Sequence, residues 1–144
     1  VQPQPGLRGY YLPTSNRVAL YDSAAEGHST TSGLDGTILH EAVHQVAFNT
    51  GIHSRIGTNP KWVVEGLATA FEVEAVRRND RSRLPLARVN RSRYGWFQQS
   101  RARRVKTSLP NLIAQDSGFQ SAVLDAYSES WALTFFLLET RGSE

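Results

Sequence analysis

Residues 37–51 read TILHEAVHQVAFNTG, which sets His40 and His44 four residues apart with Glu41 directly after the first. On an α-helix, at about 100° per residue, side chains four apart share a face, so both imidazoles can chelate one ion. Glu41, one step around the helix, can reach water on that ion without displacing it; this is the spacing of a metal with its catalytic base attached. Ile38, Leu39, Ala42, Val43, Val46 and Ala47 fill about half of the same wheel, which leaves the histidine pair at the edge of an apolar arc. The fragment alone also fits an ordinary helix carrying two imidazoles. A metal needs a third protein ligand from elsewhere in the chain.

There is no cysteine among the 144 residues, so that ligand must be His, Asp or Glu. Residues 62–72, WVVEGLATAFE, hold Glu65 in an otherwise apolar stretch with Val63, Val64, Leu67, Ala68 and Phe71. A largely buried helix cannot keep an unpaired carboxylate cheaply; coordination to a cation, or a salt bridge to an arginine, would resolve it. Gly66 beside it would let this helix approach the first closely. Glu72 follows Glu65 by two turns on nearly the same face, either as an acceptor for the second ring N–H of a ligand histidine or as a surface glutamate.

With HEAVH followed by PKWVVEGLATAFE, the sequence resembles the gluzincin superfamily of zinc peptidases, most closely its bacterial members with no assigned function. It is similar, more distantly, to the zinc aminopeptidases, whose third ligand lies in an Asn-Glu-Gly-Phe-Ala context where this chain has VEGLA. The resemblance covers roughly residues 9–140, its specific part being the two motifs. It implies a zincin-like fold, zinc held by His40, His44 and Glu65, and Glu41 as general base. Metzincins fit poorly, because Thr50 stands where their third histidine would be and His53 comes three residues later. DAYSESWALTFFLL, 125–138, resembles the stretch that in these peptidases follows the zinc helices and often carries a tyrosine. That likeness implies Tyr127 as the oxyanion donor; packing of Tyr127 and Trp131 in the core is the other reading. No Gly-x-Met-Glu-Asn segment precedes the zinc helix, so endo- and exo-cleavage both stay open. The implied activity is zinc-dependent hydrolysis of a peptide or protein substrate, the alternative being a catalytically degenerate binding module that keeps the fold.

These residues must be positioned by the rest of a chain that is 40% hydrophobic, enough for one compact domain over 1–144. RGYYLP and NRVALYD read as a hairpin or two neighbouring strands, the second with an edge able to pair with an extended peptide. SAAEGHSTTSG, 23–33, reads as a mobile loop. A helix is expected over 35–49, capped by Asp35 or Thr37 and closed by a left-handed Gly51. A second should start with Asn59 as cap and Pro60 at the first helical position and run to about Arg78. Ser121 should cap a last helix over 122–140, closed by Gly142. Strands first and helices after predict an α+β fold in which helices dominate.

Eleven of the 16 Lys and Arg residues lie between Arg77 and Lys106, where Asp80 is the only acid. The plain reading of such a run is a solvated, partly irregular and mobile insertion; it carries the signature of no nucleic-acid-binding module, although phosphate or an acidic partner would suit its charge. No apolar run approaches the ~20 residues of a membrane span. The chain begins at Val1 and has no methionine, as expected of a processed chain or an excised domain, and its compartment stays open.

Overall fold

The computed structural model describes residues 8–21, 31–80 and 84–141. They fall into two compact units, 1–57 and 58–144. The fold is helix-dominated with one small two-stranded antiparallel sheet, an α+β arrangement.

In the first unit, β1 (Gly9–Leu12) pairs with β2 (Arg17–Leu20) in the register Gly9 to Leu20 and Leu12 to Arg17. The turn closes through Asn16 at φ 56°, a left-handed conformation that asparagine tolerates better than most residues. The hairpin lies on helix α1 (Thr31–Asn49): a Cβ on Gly9 would come within 2.9 Å of Thr37 Cγ2 and Leu20 Cδ2. Arg55 ties the turn to the helix end. Its guanidinium donates to the Pro13 carbonyl, to the Tyr11 hydroxyl at 2.9 Å and to Asn49 Oδ1 at 2.7 Å. Gly51, at φ 79°, ends the helix in the left-handed conformation expected of it.

α1 starts earlier than its sequence suggests. Asp35 and Thr37 lie inside the helix and not at its start, and residues 31–33 of the expected loop are its first turn. The rest of that loop, 23–30, lies outside the described residues, as does Gly142.

In the second unit, α2 (Lys61–Phe71) and α7 (Val123–Arg141) form the central pair. Between them come α3 (Glu74–Arg77), a 3₁₀ turn at Pro85–Arg88, α4 (Arg91–Ser100), a second 3₁₀ turn at Arg101–Arg103, α5 (Ser108–Ala114) and α6 (Gly118–Ser121). The α2–α7 seam is built from small residues: Ala68, Thr69 and Ala70 face a helix that buries Ala126, Ser128 and Ser130. The buried hydroxyls of Thr69, Ser128 and Ser130 each bond back to a carbonyl of their own helix, Thr69 to Glu65 O at 2.7 Å and Ser130 to Ala126 O at 2.7 Å, so these three are satisfied. The close approach at Gly66 is made by α7. A Cβ at Gly66 would lie 2.2 Å from Thr134 Oγ1 and 2.6 Å from the Ser130 carbonyl oxygen.

Three expectations about helix ends are corrected. Pro60 is the N-cap residue of α2, with ψ 127°, so Asn59 does not cap it. The helix expected to reach Arg78 breaks after Phe71, because Val73 turns extended (φ −84°, ψ 123°) and α3 starts afresh. Arg77 stabilises that break by donating Nη1 to the carbonyls of Phe71 and Glu72. Ser121 ends α6 instead of capping α7; its hydroxyl donates to Ser117 O at 3.1 Å.

Most described arginines of the basic segment are exposed, as a solvated run would have them, yet several also make structural bonds. Arg88, 6% exposed, forks onto both oxygens of Glu139 and donates to Asp80 O, and that carboxylate raises its pKa. Arg104 pairs with Glu129 at 2.8 Å, a carboxylate that Ser108 Oγ also approaches. Arg103 pairs with Asp125, which accepts from Trp96 Nε1 as well, and these partners, Arg103 first, hold the Asp125 carboxyl below its ordinary range.

Gly66→Ala should destabilise the protein by about 1–3 kcal/mol, since the obstacle is main chain and cannot rotate away. A urea midpoint equal to wild type would show that the seam yields more easily. Asp125→Asn should cost about 1 kcal/mol at neutral pH, kept modest because Arg103 is half exposed and solvent screens the pair. A carboxyl with a depressed folded pKa stabilises above its unfolded value and loses that contribution as pH falls through the folded one. The gap between wild type and Asp125→Asn should therefore close below about pH 4. A gap constant from pH 7 to pH 3 would assign the effect to shape and not to charge.

Candidate metal centre

α1 by itself brings His40 and His44 together. Their rings meet edge to face with centroids 4.7 Å apart and planes at 86°, as expected of imidazoles one turn apart. His44 and Glu41 are each 7% exposed and His40 is half buried. An acidic side chain this far from water at the edge of an apolar helix face is costly unless charge or hydrogen bonds compensate it.

The helix that carries the pair is braced at its C-terminal end. Phe48, one turn beyond His44, touches the Tyr11 ring at 5.6 Å and the His53 ring at 5.2 Å, and the Arg55 guanidinium lies 5.8 Å from its centroid. His53, 2% exposed, is thus part of the packing of the first unit, and its backbone N–H donates to Ala47 O. Sequence reasoning weighed His53 only as a metal ligand. Its core role has a local signal in the apolar phenylalanine and isoleucine around it, but not a specific one.

In the second unit Glu65 is 9% exposed on α2, followed by a run of small buried residues, as its apolar surroundings led one to expect. Seven residues on, where α2 ends, Glu72 accepts a hydrogen bond from Asn90 Nδ2 at 2.8 Å. Asn90 is a residue that sequence reasoning missed. It precedes α4 and its Oδ1 accepts from Arg93 N at 3.2 Å, so an asparagine just ahead of a helical run was the available signal.

Tyr127 lies on α7, half buried against the cluster of Leu112, Phe119 and Ala126. The Phe119 ring meets it edge-on at 5.5 Å, and the Arg93 guanidinium sits over its face at 5.1 Å from the centroid. The aromatic body is therefore anchored. Trp131, one turn later and 2% exposed, is a core residue stacked on Phe135.

Chemically, the first unit offers two imidazoles with a carboxylate beside them. The second offers a buried carboxylate and, on another helix, a phenol.

A hairpin backed by a long helix that carries His-Glu-x-x-His, and a helical unit centred on a small-residue seam, define a helix-dominated α+β protein. The family DUF1570, described as proteins of unknown function, matches residues 35–144, and the chain belongs to it. The matched stretch begins within α1 and takes in His40, Glu41, His44, Glu65 and Tyr127. No curated protein and no solved structure matches the chain.

Proposed function

We propose that the protein is a zincin-like, gluzincin-type zinc metallopeptidase, with His40, His44 and Glu65 as metal ligands, Glu41 as general base and Tyr127 as oxyanion donor. The observation that carries this reading is that α1 sets His40 and His44 one turn apart, ring centroids 4.7 Å from each other, with the buried Glu41 between them in sequence, while α2 carries the buried Glu65 as the candidate third ligand. Two imidazoles and a carboxylate, with no thiolate in the chain, suit zinc and leave a fourth position open to water or substrate.

Zinc, when bound, supplies Lewis acidity, polarising a scissile carbonyl and acidifying water towards neutral pH. The protein's own groups do the rest. Glu41 takes a proton from the attacking water and passes it to the leaving amine nitrogen, so the carboxylate ends as it began. Tyr127 donates its phenolic O–H to the carbonyl oxygen as negative charge builds there, and being neutral at pH 7 it does not first need to lose a proton. The outer edge of β2, which no described strand pairs, suits an extended peptide that adds a strand. A peptide or protein is accordingly the substrate class. No helix among the described residues is long and apolar enough to cross a membrane.

The test is metal content followed by turnover. Purified protein should carry about one zinc per chain, and Glu41→Gln should keep that zinc while peptide hydrolysis falls at least ~10²-fold. Protein that takes up no transition metal and gains no thermal stability from added zinc sinks the reading. A Glu41→Gln variant as fast as wild type removes the base.

Tyr127→Phe separates chemistry from packing at one hydroxyl. As an oxyanion donor its loss should lower kcat by about 10²–10³ with zinc uptake unchanged. A full-rate variant with melting lowered only slightly would leave Tyr127 as part of the Leu112–Phe119–Ala126 cluster and nothing more.

A further inference from the structure

Arg93 differs from the arginines that fasten the second unit together. Arg77, Arg88, Arg103 and Arg104 spend their guanidinium donors on main-chain oxygens or on the acids of α7. Arg93, half-buried, lays its guanidinium over the Tyr127 ring, and among the described residues no carboxylate or carbonyl takes up its side-chain N–H groups. An aromatic face attracts the charge but leaves those donors for an acceptor. The main chain beneath is fixed as well, since Arg93 N donates to Asn90 Oδ1 at 3.2 Å. Ring and cap therefore hold the group in place before anything binds to it.

Stability alone gives a weak motive for this arginine. A cation in the first turn of a helix stands against the helix dipole, and α4 opens with Arg91 and Arg93 and no acid in that turn. Its position suits a different task. If Tyr127 is the oxyanion donor, its hydroxyl marks where the scissile carbonyl lies. A phenol oxygen projects from the rim of its own ring. A guanidinium 5.1 Å from the ring centroid is then within about two residues of that carbonyl along an extended peptide, at ~3.3 Å per residue.

We propose that Arg93 is a specificity-determining residue that selects peptides carrying a carboxylate within two residues of the scissile bond. This rests on the peptidase reading given above. A planar carboxylate matches the guanidinium fork and accepts two N–H bonds at once, and the charge of an arginine is present at every working pH. An Asp or Glu side chain and the free carboxyl end of a peptide both supply that group. The Tyr127 ring serves twice in this arrangement: its face seats the guanidinium that grips the substrate, and its hydroxyl faces the reacting carbonyl.

The test is a digest of random-sequence peptides by the full chain with added zinc, the cut positions being read by mass spectrometry. One mixture has free carboxyl ends and a second has amidated ends. Wild type should favour Asp, Glu or a free end within two residues of the cut by at least ~10-fold over Asn, Gln or an amidated end. A preference confined to the first mixture assigns the carboxylate to the chain end, and one that survives amidation assigns it to a side chain. Arg93→Gln should bring the ratio to about one, and Arg93→Glu should turn it towards Lys and Arg. All peptides compete in one tube, so an Arg93 that only packs on Tyr127 predicts slower cleavage of every peptide at an unchanged ratio. Wild type that cleaves without this preference, or Arg93→Gln that keeps it, overturns the inference alone. Wild type that cleaves no peptide overturns the peptidase reading and this inference together.

Discussion

In the second unit a main-chain oxygen on α7, that of Ser130, occupies the space where any side chain on residue 66 would begin. The requirement for hydrogen at that position organises what surrounds it. Helices this close can meet only through small side chains, and the seam accordingly runs through Ala68, Thr69, Ala70, Ser128 and Ser130. Hydroxyls are admitted there because each folds back onto its own helix, which removes the cost of a buried polar atom. Glu65 precedes the glycine in sequence and Tyr127 lies on the opposing helix, so both functional candidates of this unit hang on one rigid junction. A loosely packed pair of leucine-rich helices would bury more area but hold those side chains less exactly in place.

Charge is used in the same structural way. Taken as a run, 77–106 looks like a solvated insertion with little structural work. Folded, Arg77 caps the end of α2, Arg88 forks onto Glu139, Arg103 and Arg104 pair with Asp125 and Glu129, and Arg93 lies on the Tyr127 ring. The three paired acids all belong to α7, between 22 and 51 residues away in sequence. A local count of charges cannot see partners at that distance. The arginines thus fasten the short helices of this unit to α7, a role suited to a guanidinium, which makes several directed bonds at once.

The reasons for success and failure in reading the sequence differ by element. The hairpin was legible because alternating aromatic and β-branched residues flank a short turn, and the left-handed Gly51 because only glycine fits that backbone cheaply. The burial of Glu65 was legible from apolar neighbours at helical spacing, whereas that of Glu41 and His44, at the edge of an apolar arc, was not. Helix ends were not. Asp35 and Thr37 resemble caps, but α1 continues through them, and the break of α2 is set by Arg77, Asn90 and an extended Val73, none of which interrupts helical periodicity. Gly66 was recognised as a close-approach residue, but its partner is α7. Periodicity identifies a face that must be covered; it does not say by which helix.

Each helix that carries a candidate ligand is braced inside its own unit, and this bears on what a metal would have to do. His40 and His44 are set 4.7 Å apart by α1, whose end is pinned through Phe48 and Arg55, while Glu65 is fixed by the seam at Gly66. The rotamer entropy of the donor side chains is thus lost largely on folding and not on coordination. Small zinc domains whose ligands lie on unstructured chain gain their fold from the ion, whereas braced ligands leave more of the binding free energy for affinity. The Glu72 carboxylate, at the end of α2, is likewise held within its own unit, by the asparagine that caps α4. Packing and hydrogen bonding away from the candidate ligands thus hold each of their helices in place, which puts mutational sensitivity at Gly66 in one unit and Arg55 in the other.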